Sequence, residues 1–265
     1  MSRVAIIAGA GALPAAVAGA LEAPLICALD GFAPDALVPD MVFRVERLVP
    51  FLAALEQAGV RDVTFAGAVQ RPRLDPALFD AATAQLVPRL MGAMAQGDDA
   101  TLRAVIDVFE EAGFTVRGTA EIAPGLVPGA GLLCGAVSAQ DEADAQRAAS
   151  IVQALGAVDV GQGCVVAQGL CLGVEALPGT DALLAGVAAL PASLRPPGTR
   201  GLFFKAPKPG QDRRIDLPTL GPQTVARVAE AGLGGIVWQA GGVICLERDR
   251  MVAAARAQGL FLWAR

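Results

Sequence analysis

The sequence predicts an α/β protein of two domains, an N-terminal Rossmann-like half over 1–133 and a mixed-sheet α/β half over 134–265. Three observations predict it. Short apolar runs alternate with amphipathic stretches along the whole chain, the pattern of strands and covering helices. A length of 265 residues with 54% hydrophobic and 18% charged residues supports two sizeable cores. A Pro/Gly-rich stretch, APGLVPGAGLLCGAV, sits near the middle and reads as a linker.

The elements follow in order. Residues 3–8 read as a strand, 13–21 as a helix and 24–29 as a strand ending at Asp30. The uncharged run 4–21 has the length of a membrane span, but GAG and Pro14 interrupt it, so strand, turn and helix fit better. A helix fits 48–58, a strand 62–66, helices 77–94 and 99–112, and a strand 114–117. Asp98 or Asp99 would cap the second of those helices. In the second half, Ser138 and Asp141 have the spacing of a capping box and open a long helix. Strands then fit 163–167, 170–175, 201–206, 235–246 and the terminal LFLWA; helices fit 180–190, 222–232 and 249–258, with Pro222 at a favoured first position.

Composition excludes several chemistries. There is no His, so a Ser-His-Asp triad, a Cys-His pair and a His-ligated zinc are all ruled out. General acids and bases must come from carboxylates, Lys, Cys or water. A net charge of −5, from 21 basic and 26 acidic side chains, argues against broad nucleic-acid binding. Five Cys without a CxxC pair suit buried free thiols in a reducing compartment. The chain is therefore expected to be cytoplasmic, with contact to the inner-membrane surface as a further option.

Several loops carry candidate chemistry. GAGALP places Gly9 and Gly11 between a strand and a helix led by Leu13, where backbone amides can approach phosphate. With Asp30 one strand later, this also fits part of a dinucleotide fingerprint, although Pro14 replaces the third glycine. The ordinary alternative is a tight turn without a ligand. Gln70 and Arg71 cluster after a strand, and Asp98 and Asp99 could hold a hard cation instead of a cap. Gln162 stands in a glycine loop, Glu175 at a strand end, and Thr180 and Asp181 at a helix start.

The richest segment is KAPKPGQDRRIDLPT, 205–219. It holds Lys205, Lys208, Gln211, Asp212, Arg214, Asp216 and Thr219, and its prolines prevent a helix. Asp212 and Asp216 are separated by an even number of residues, so an extended chain would place both on one side. Carboxylates for a divalent metal beside cations for phosphate are what phosphoanhydride hydrolysis requires. A surface loop of mutually paired charges is the alternative.

IAGAGALP, GAVQRP, GDDATLR, DVGQGCVV, GVEALPGTDALL, KAPKPGQDRRIDLPTLGPQT and GLFLWA, in that order, resemble the LpxI-type UDP-2,3-diacylglucosamine pyrophosphatases of lipid A synthesis. The resemblance spans nearly the whole chain. It implies Mg²⁺-assisted hydrolysis of UDP-2,3-diacylglucosamine to UMP and 2,3-diacylglucosamine 1-phosphate (lipid X), with water attacking the β-phosphorus and ligand lying between two domains. It also implies an essential aspartate in RIDLPT, Asp216, with Asp212 as second choice. Asp212, Asp216, Asp98 and Asp99 form the metal set. Lys205 and Arg214 would act in the reaction. Substrate would meet Gly9, Gly11, Leu13, Gln70, Arg71, Gln162, Glu175, Thr180, Asp181, Lys208, Gln211 and Thr219. Where the family has an Arg after GTDALL, this chain has Ala185 and Gly186. Rival functions are an NAD(P)-dependent oxidoreductase and a non-catalytic nucleotide-sugar or lipid binder. Oligomeric state is open between monomer and homodimer.

Overall fold

The computed structural model describes residues 3–69 and 72–265, with the side chains of Asp98 and Asp99 outside that description. The chain divides into two compact units. The first runs through Pro124 and also takes Asp212–Asp216; the second comprises Gly125–Gln211 and Leu217–Arg265.

In the first unit, strands β1 (Arg3–Ala8), β2 (Leu25–Leu29), β3 (Met41–Phe43), β4 (Val60–Ala66) and β5 (Thr115–Val116) form a sheet ordered β3-β2-β1-β4-β5. Every pairing is parallel. Its helices are α1 (Leu13–Ala18), α2 (Leu48–Gln57), α3 (Ala81–Ala84), α4 (Val87–Met94), α5 (Asp98–Glu111) and α6 (Thr119–Ile122). Ala5, Ile7, Cys27 and Val63 from one sheet face pack with Phe51 and Leu55 of α2 and Ile106 and Phe109 of α5. Burial on that scale is the main force holding the layers together. Phe43 stacks on Phe51 with ring centroids 3.9 Å apart, and Phe109 meets Phe65 edge-on at 5.3 Å.

The helix expected over 77–94 is instead a 3-10 turn, Pro76–Leu78, followed by α3 and α4. Asp80 accepts from the amides of Ala82 and Thr83 and starts α3. Pro88 restarts the chain in the first turn of α4. An apolar period runs through the region, but two start signals within it divide the helix.

The second unit contains strands β6 (Gly131–Cys134), β7 (Gly163–Ala167), β8 (Leu170–Val174), β9 (Leu202–Lys205), β10 (Thr219–Leu220), β11 (Gly235–Trp238), β12 (Ile244–Cys245) and β13 (Phe261–Ala264). Six of them form a mixed sheet ordered β6-β13-β11-β9-β7-β8, and β10 pairs with β12. Helices α7 (Ala139–Ala157), α8 (Gly179–Ala188), α9 (Pro222–Glu230) and α10 (Arg248–Ala257) cover it. Ala145, Ala148 and Val152 of α7 bury Val166, Leu202 and Phe204 on one face. Leu184 of α8, Val225 of α9 and Met251 of α10 bury Val165, Phe203 and Ile236 on the other. Strands covered on both faces read as unbroken apolar runs, as GCVVA of β7 and GIVW of β11 do here.

The boundary lies at 124/125 rather than 133/134, because the supposed linker contains β6. That strand pairs antiparallel with β13, a partner more than a hundred residues away, and no local signal announces it. The expected strand 235–246 is two strands, β11 and β12. Between them Gly241 has φ +65°, a left-handed turn that suits glycine. The Ser138–Asp141 capping box is present: the Asp141 amide donates to Ser138 Oγ at 3.2 Å, and the Ser138 amide to Asp141 Oδ2 at 2.9 Å. Among the described residues, no helix is long and apolar enough to cross a membrane.

Candidate active site

Lys205 ends β9, an interior strand of the second unit's sheet, opposite Gly163 at the start of antiparallel β7. It is 5% exposed, and Glu175, just past β8, is 7% exposed. A buried ammonium must be paired. Lys205 Nζ donates to Glu175 Oε2 at 3.0 Å and to Thr180 Oγ1 at 2.5 Å, and Thr180 Oγ1 donates to the same carboxylate oxygen at 2.7 Å. The surrounding glycines make room for this triad. A Cβ on Gly163 would stand 2.7 Å from Glu175 Oε2, and one on Gly161 would stand 2.0 Å from the Glu175 carbonyl oxygen. The glycine loop read as a ligand contact is thus first a seat for Glu175.

Two buried polar atoms near this end of β9 have no hydrogen-bond partner, Gln162 Oε1 and Trp238 Nε1. Trp238 is the register neighbour of Lys205 on β11, so both side chains leave the same sheet face. A lysine ammonium carries three donors, and the triad uses two. Orphaned polar capacity of this kind costs stability unless something else engages it. Trp238 was not among the residues singled out from sequence, since only the β9–β11 register brings it beside Lys205.

Downstream, Lys208 Nζ pairs with Asp159 at 2.6 Å, and its backbone amide donates to Gln211 Oε1 at 3.0 Å. Asp181 lies exposed in the first turn of α8. Thr219 opens β10, its hydroxyl donating to the Leu217 carbonyl at 3.4 Å.

The segment 205–219 does not stay in one unit. Lys205, Lys208 and Gln211 belong to the second, whereas Asp212, Arg214 and Asp216 belong to the first. There the chain is a hydrogen-bonded turn, with the Asp216 amide 3.4 Å from the Asp212 carbonyl oxygen, not the extended run assumed from the even spacing. Asp212 accepts from the Arg214 backbone amide and Nε, both at 3.0 Å, and from Nη2 at 2.7 Å. Arg214 Nη1 reaches Glu110 of α5 at 2.6 Å, and Ile215 packs against the first unit's core. The Arg214 side chain holds the Asp212 carboxyl below the usual carboxylate range, outweighing partial burial, which raises it. Asp212 in turn raises the Arg214 guanidinium.

At the other glycine turn, Gly9 is a packing residue. A Cβ there would lie 2.4 Å from the Ala68 carbonyl oxygen. Ala10 and Ala68 exchange two backbone hydrogen bonds of 2.9 Å, which bridge the ends of β1 and β4. Gly11, at φ +94°, donates its amide to Asp35 Oδ2 at 3.0 Å. Leu13 begins α1, which is six residues long. Asp30 pairs with Arg44 at 2.5 Å. The amide and the acid on which a dinucleotide site would draw already have partners, so the oxidoreductase reading gains no support here. Gln70 and Arg71 lie outside the described residues, as do the side chains of Asp98 and Asp99.

Among the described residues, no group of three or more His, Cys, Asp or Glu could hold a metal. Mg²⁺ bound by one or two carboxylates, waters and substrate phosphates needs no such group. Asp212 suits the role less well than expected, because both of its oxygens already serve Arg214. Burial pushes the Cys27 and Cys245 thiols up to about 12 and raises Cys164 as well, which agrees with inert core thiols.

Comparison with known proteins bears on the same two units. Residues 3–126 match the LpxI N-terminal domain, and residues 129–263 match the LpxI C-terminal domain. The UDP-2,3-diacylglucosamine pyrophosphatase LpxI of Caulobacter vibrioides is 40% identical over 272 aligned residues, spanning 99% of this chain and 97% of that protein. With both domains matched in order and a relative aligned nearly end to end, the chain belongs to the LpxI family.

Proposed function

We propose that this protein hydrolyses the pyrophosphate bond of UDP-2,3-diacylglucosamine, releasing UMP and 2,3-diacylglucosamine 1-phosphate. The observation that carries the proposal is the end-to-end relation to a pyrophosphatase of that name. The buried Lys205–Glu175–Thr180 triad supports it, because a fixed ammonium with donor capacity to spare is suited to phosphate oxygens. In this reading water attacks the β-phosphorus, the bond from that phosphorus to the bridging oxygen breaks, and UMP leaves with the bridging oxygen. Lys205 neutralises charge developing on the phosphates, with Glu175 and Thr180 fixing its position. Arg214, held by Asp212 and Glu110, adds a second cation. Asp216 would orient the water and, of the proposed metal set, would be the residue to hold Mg²⁺, which when bound would supply charge neutralisation and acidify water. Gly9, Gly11, Leu13, Gln70 and Arg71 remain proposed contacts to the nucleotide or sugar phosphate.

The test is release of UMP from UDP-2,3-diacylglucosamine with Mg²⁺ and its loss with EDTA. In ¹⁸O-water the label should enter the sugar phosphate; label in UMP would move the attack to the other phosphorus. Asp216→Ala should abolish turnover yet retain substrate binding, and full activity in that variant would remove Asp216 from the reaction. Saturable binding without UMP release in the wild type would favour the non-catalytic binder.

A further inference from the structure

Residues 160–194 hold two charged side chains, Glu175 and Asp181, where the chain's average of 18% would give about six. This stretch forms β7, β8 and α8, and β8 ends the order of the second unit's sheet. Glu175 is buried against Lys205, which leaves Asp181 as the exposed charge. The strand LCLGV contains neither charge nor proline, two common means by which an edge is kept from pairing. Leu170 is 59% exposed and Val174 40%, and Cys171 is exposed between them. Helix α8 packs on the same strand, with Leu183 and Val187 against Gly173, and turns Ala182, Ala185, Gly186 and Ala189 to the surface. Strand edge and helix face are thus joined by direct contact. The other sheet edges differ. β6 lies beside α10, which opens with Arg248, Asp249 and Arg250, and β3 stands between Asp40 and Arg44.

The hairpin fixes which backbone groups of β8 point outward. The Glu175 amide donates to the Gly163 carbonyl at 2.8 Å, so the groups of Val174, one residue back, turn away from β7. At the other end Ala167 faces Leu170 across Gln168 and Gly169, at φ +48° and +76°, a two-residue turn whose closing pair bonds within the hairpin. Cys171, next along, therefore also turns outward. A bulge lies between the two. Cys164 and Val166 of β7 face Val174 and Cys171, so the outward sites keep the spacing of a regular ladder despite it. We infer that β8 pairs antiparallel with β8 of a second copy of this chain, Cys171 opposite Val174 of that copy and Val174 opposite its Cys171, with the two α8 faces packing alongside. An isologous two-fold contact needs a surface that complements itself. With one exposed charge on it, this surface can meet its own image with little like-charge repulsion, and a strand added at an edge brings its own backbone hydrogen bonds. Glu175 follows β8 and Thr180 starts α8, so the contact borders the elements that seat Lys205. The β8 edge and α8 face fall toward the small end of specific interfaces, which bury roughly 800 Å² a side, so the dimer should dissociate on dilution.

Sedimentation velocity of the full chain across a concentration series tests the inference. Wild type should pass from monomer to dimer as concentration rises. Leu170→Lys and Ala185→Glu, both at exposed positions, should each weaken association at least about tenfold, because each sets a charge against its own image in the contact. Leu132→Lys on β6 and Val42→Lys on β3 should leave it unchanged. Circular dichroism matching the wild type shows that each variant is folded. In the inferred pairing the two Cys171 side chains are diagonal neighbours about 7–8 Å apart. Cys171 is exposed, whereas Cys27, Cys134, Cys164 and Cys245 are buried. A short bis-maleimide should therefore link wild-type chains into covalent dimers and fail to link Cys171→Ser. Wild type that stays monomeric at every concentration overturns the inference. So does a dimer that Leu170→Lys and Ala185→Glu both leave intact, or one that Leu132→Lys or Val42→Lys dissolves. A dimer sensitive to the β8 and α8 variants but not linked through Cys171 overturns the strand register.

Discussion

Replacing Glu175 by Gln should unfold the second unit far more readily while leaving its shape almost unchanged. The pair buries an ammonium at 5% exposure against a carboxylate at 7%, 3.0 Å apart. At an effective dielectric near 20 their attraction is about 5 kcal/mol. Most of that offsets desolvation, so the pair adds little net stability. Removing one charge is different, since Lys205 is then a buried cation with only neutral partners, at a cost of about 3–5 kcal/mol. For a unit of this size that corresponds to a fall in Tm of roughly 6–20 °C. Lys205→Met should cost a similar amount by stranding Glu175. The double variant Glu175→Gln/Lys205→Met should recover about half of the loss, because neither charge remains. Both tryptophans, Trp238 and Trp263, lie in the second unit, so urea unfolding followed by tryptophan fluorescence reports on this unit. Activity should not recover with stability in the double variant if Lys205 neutralises phosphate. Strictly additive losses would show that the two charges are not coupled. A stable double variant with full turnover would remove Lys205 from the reaction.

Three other perturbations probe the rest of the molecule. Gly9→Ala should destabilise the first unit by about 2 kcal/mol or more, because its Cβ would fall 2.4 Å from a backbone oxygen; hydrogen exchange of the Ala10 and Ala68 amides should accelerate, and unchanged protection would refute the close approach. Asp144 is fully buried and accepts from the amides of Gln168 and Gly169 at 2.9 and 2.7 Å, so Asp144→Ala should cost about 2–4 kcal/mol in urea unfolding and fray the β7–β8 turn, with kcat per folded molecule unchanged. Asp212 has a folded-state pKa depressed by Arg214, so its contribution to stability is present above the unfolded carboxyl's value near ~4 and is lost as pH falls through the lower folded value; a stability titration from pH 6 to acid should show a shallower acid limb in Asp212→Asn, and identical slopes would contradict the Arg214 contact.

Local signals carried the fold wherever an element announces its own ends. The Ser138–Asp141 box, Pro222 at the first position of α9 and the apolar run of β7 each encode a boundary within a few residues. The pattern fails where an element depends on a distant partner. GLLC of β6 has glycines at both ends and becomes a strand because β13 offers an open edge. The short β10 likewise exists through β12. The 77–94 region erred in the other direction, since apolar spacing is continuous across it while Asp80 and Pro88 each restart the chain.

The site was legible as a set of residue types and only partly as an arrangement. Lys205, Glu175 and Thr180 were all chosen from separate motifs, but their convergence depends on sheet order, which puts the end of β8 and the end of β9 on either side of the start of β7. Trp238 stayed hidden for the same reason. The charge-rich segment taught the opposite lesson. Its density suggested a single cluster, yet a charge cluster is defined by where its side chains are anchored rather than by adjacency in sequence. Lys208 is anchored by Asp159 in the second unit, and Arg214 by Asp212 and Glu110 in the first. Asp212 is therefore the residue that holds Arg214 in place, and its two oxygens are committed to that task. If chemistry and scaffolding are divided in this way, Asp212→Asn should lower turnover in proportion to the loss of Arg214 positioning, and Arg214→Lys should reproduce the defect, since lysine cannot replace the guanidinium fork. Asp216→Ala should then be the more severe of the two aspartate variants, abolishing turnover. Equal activity losses for the two aspartate variants would refute the division.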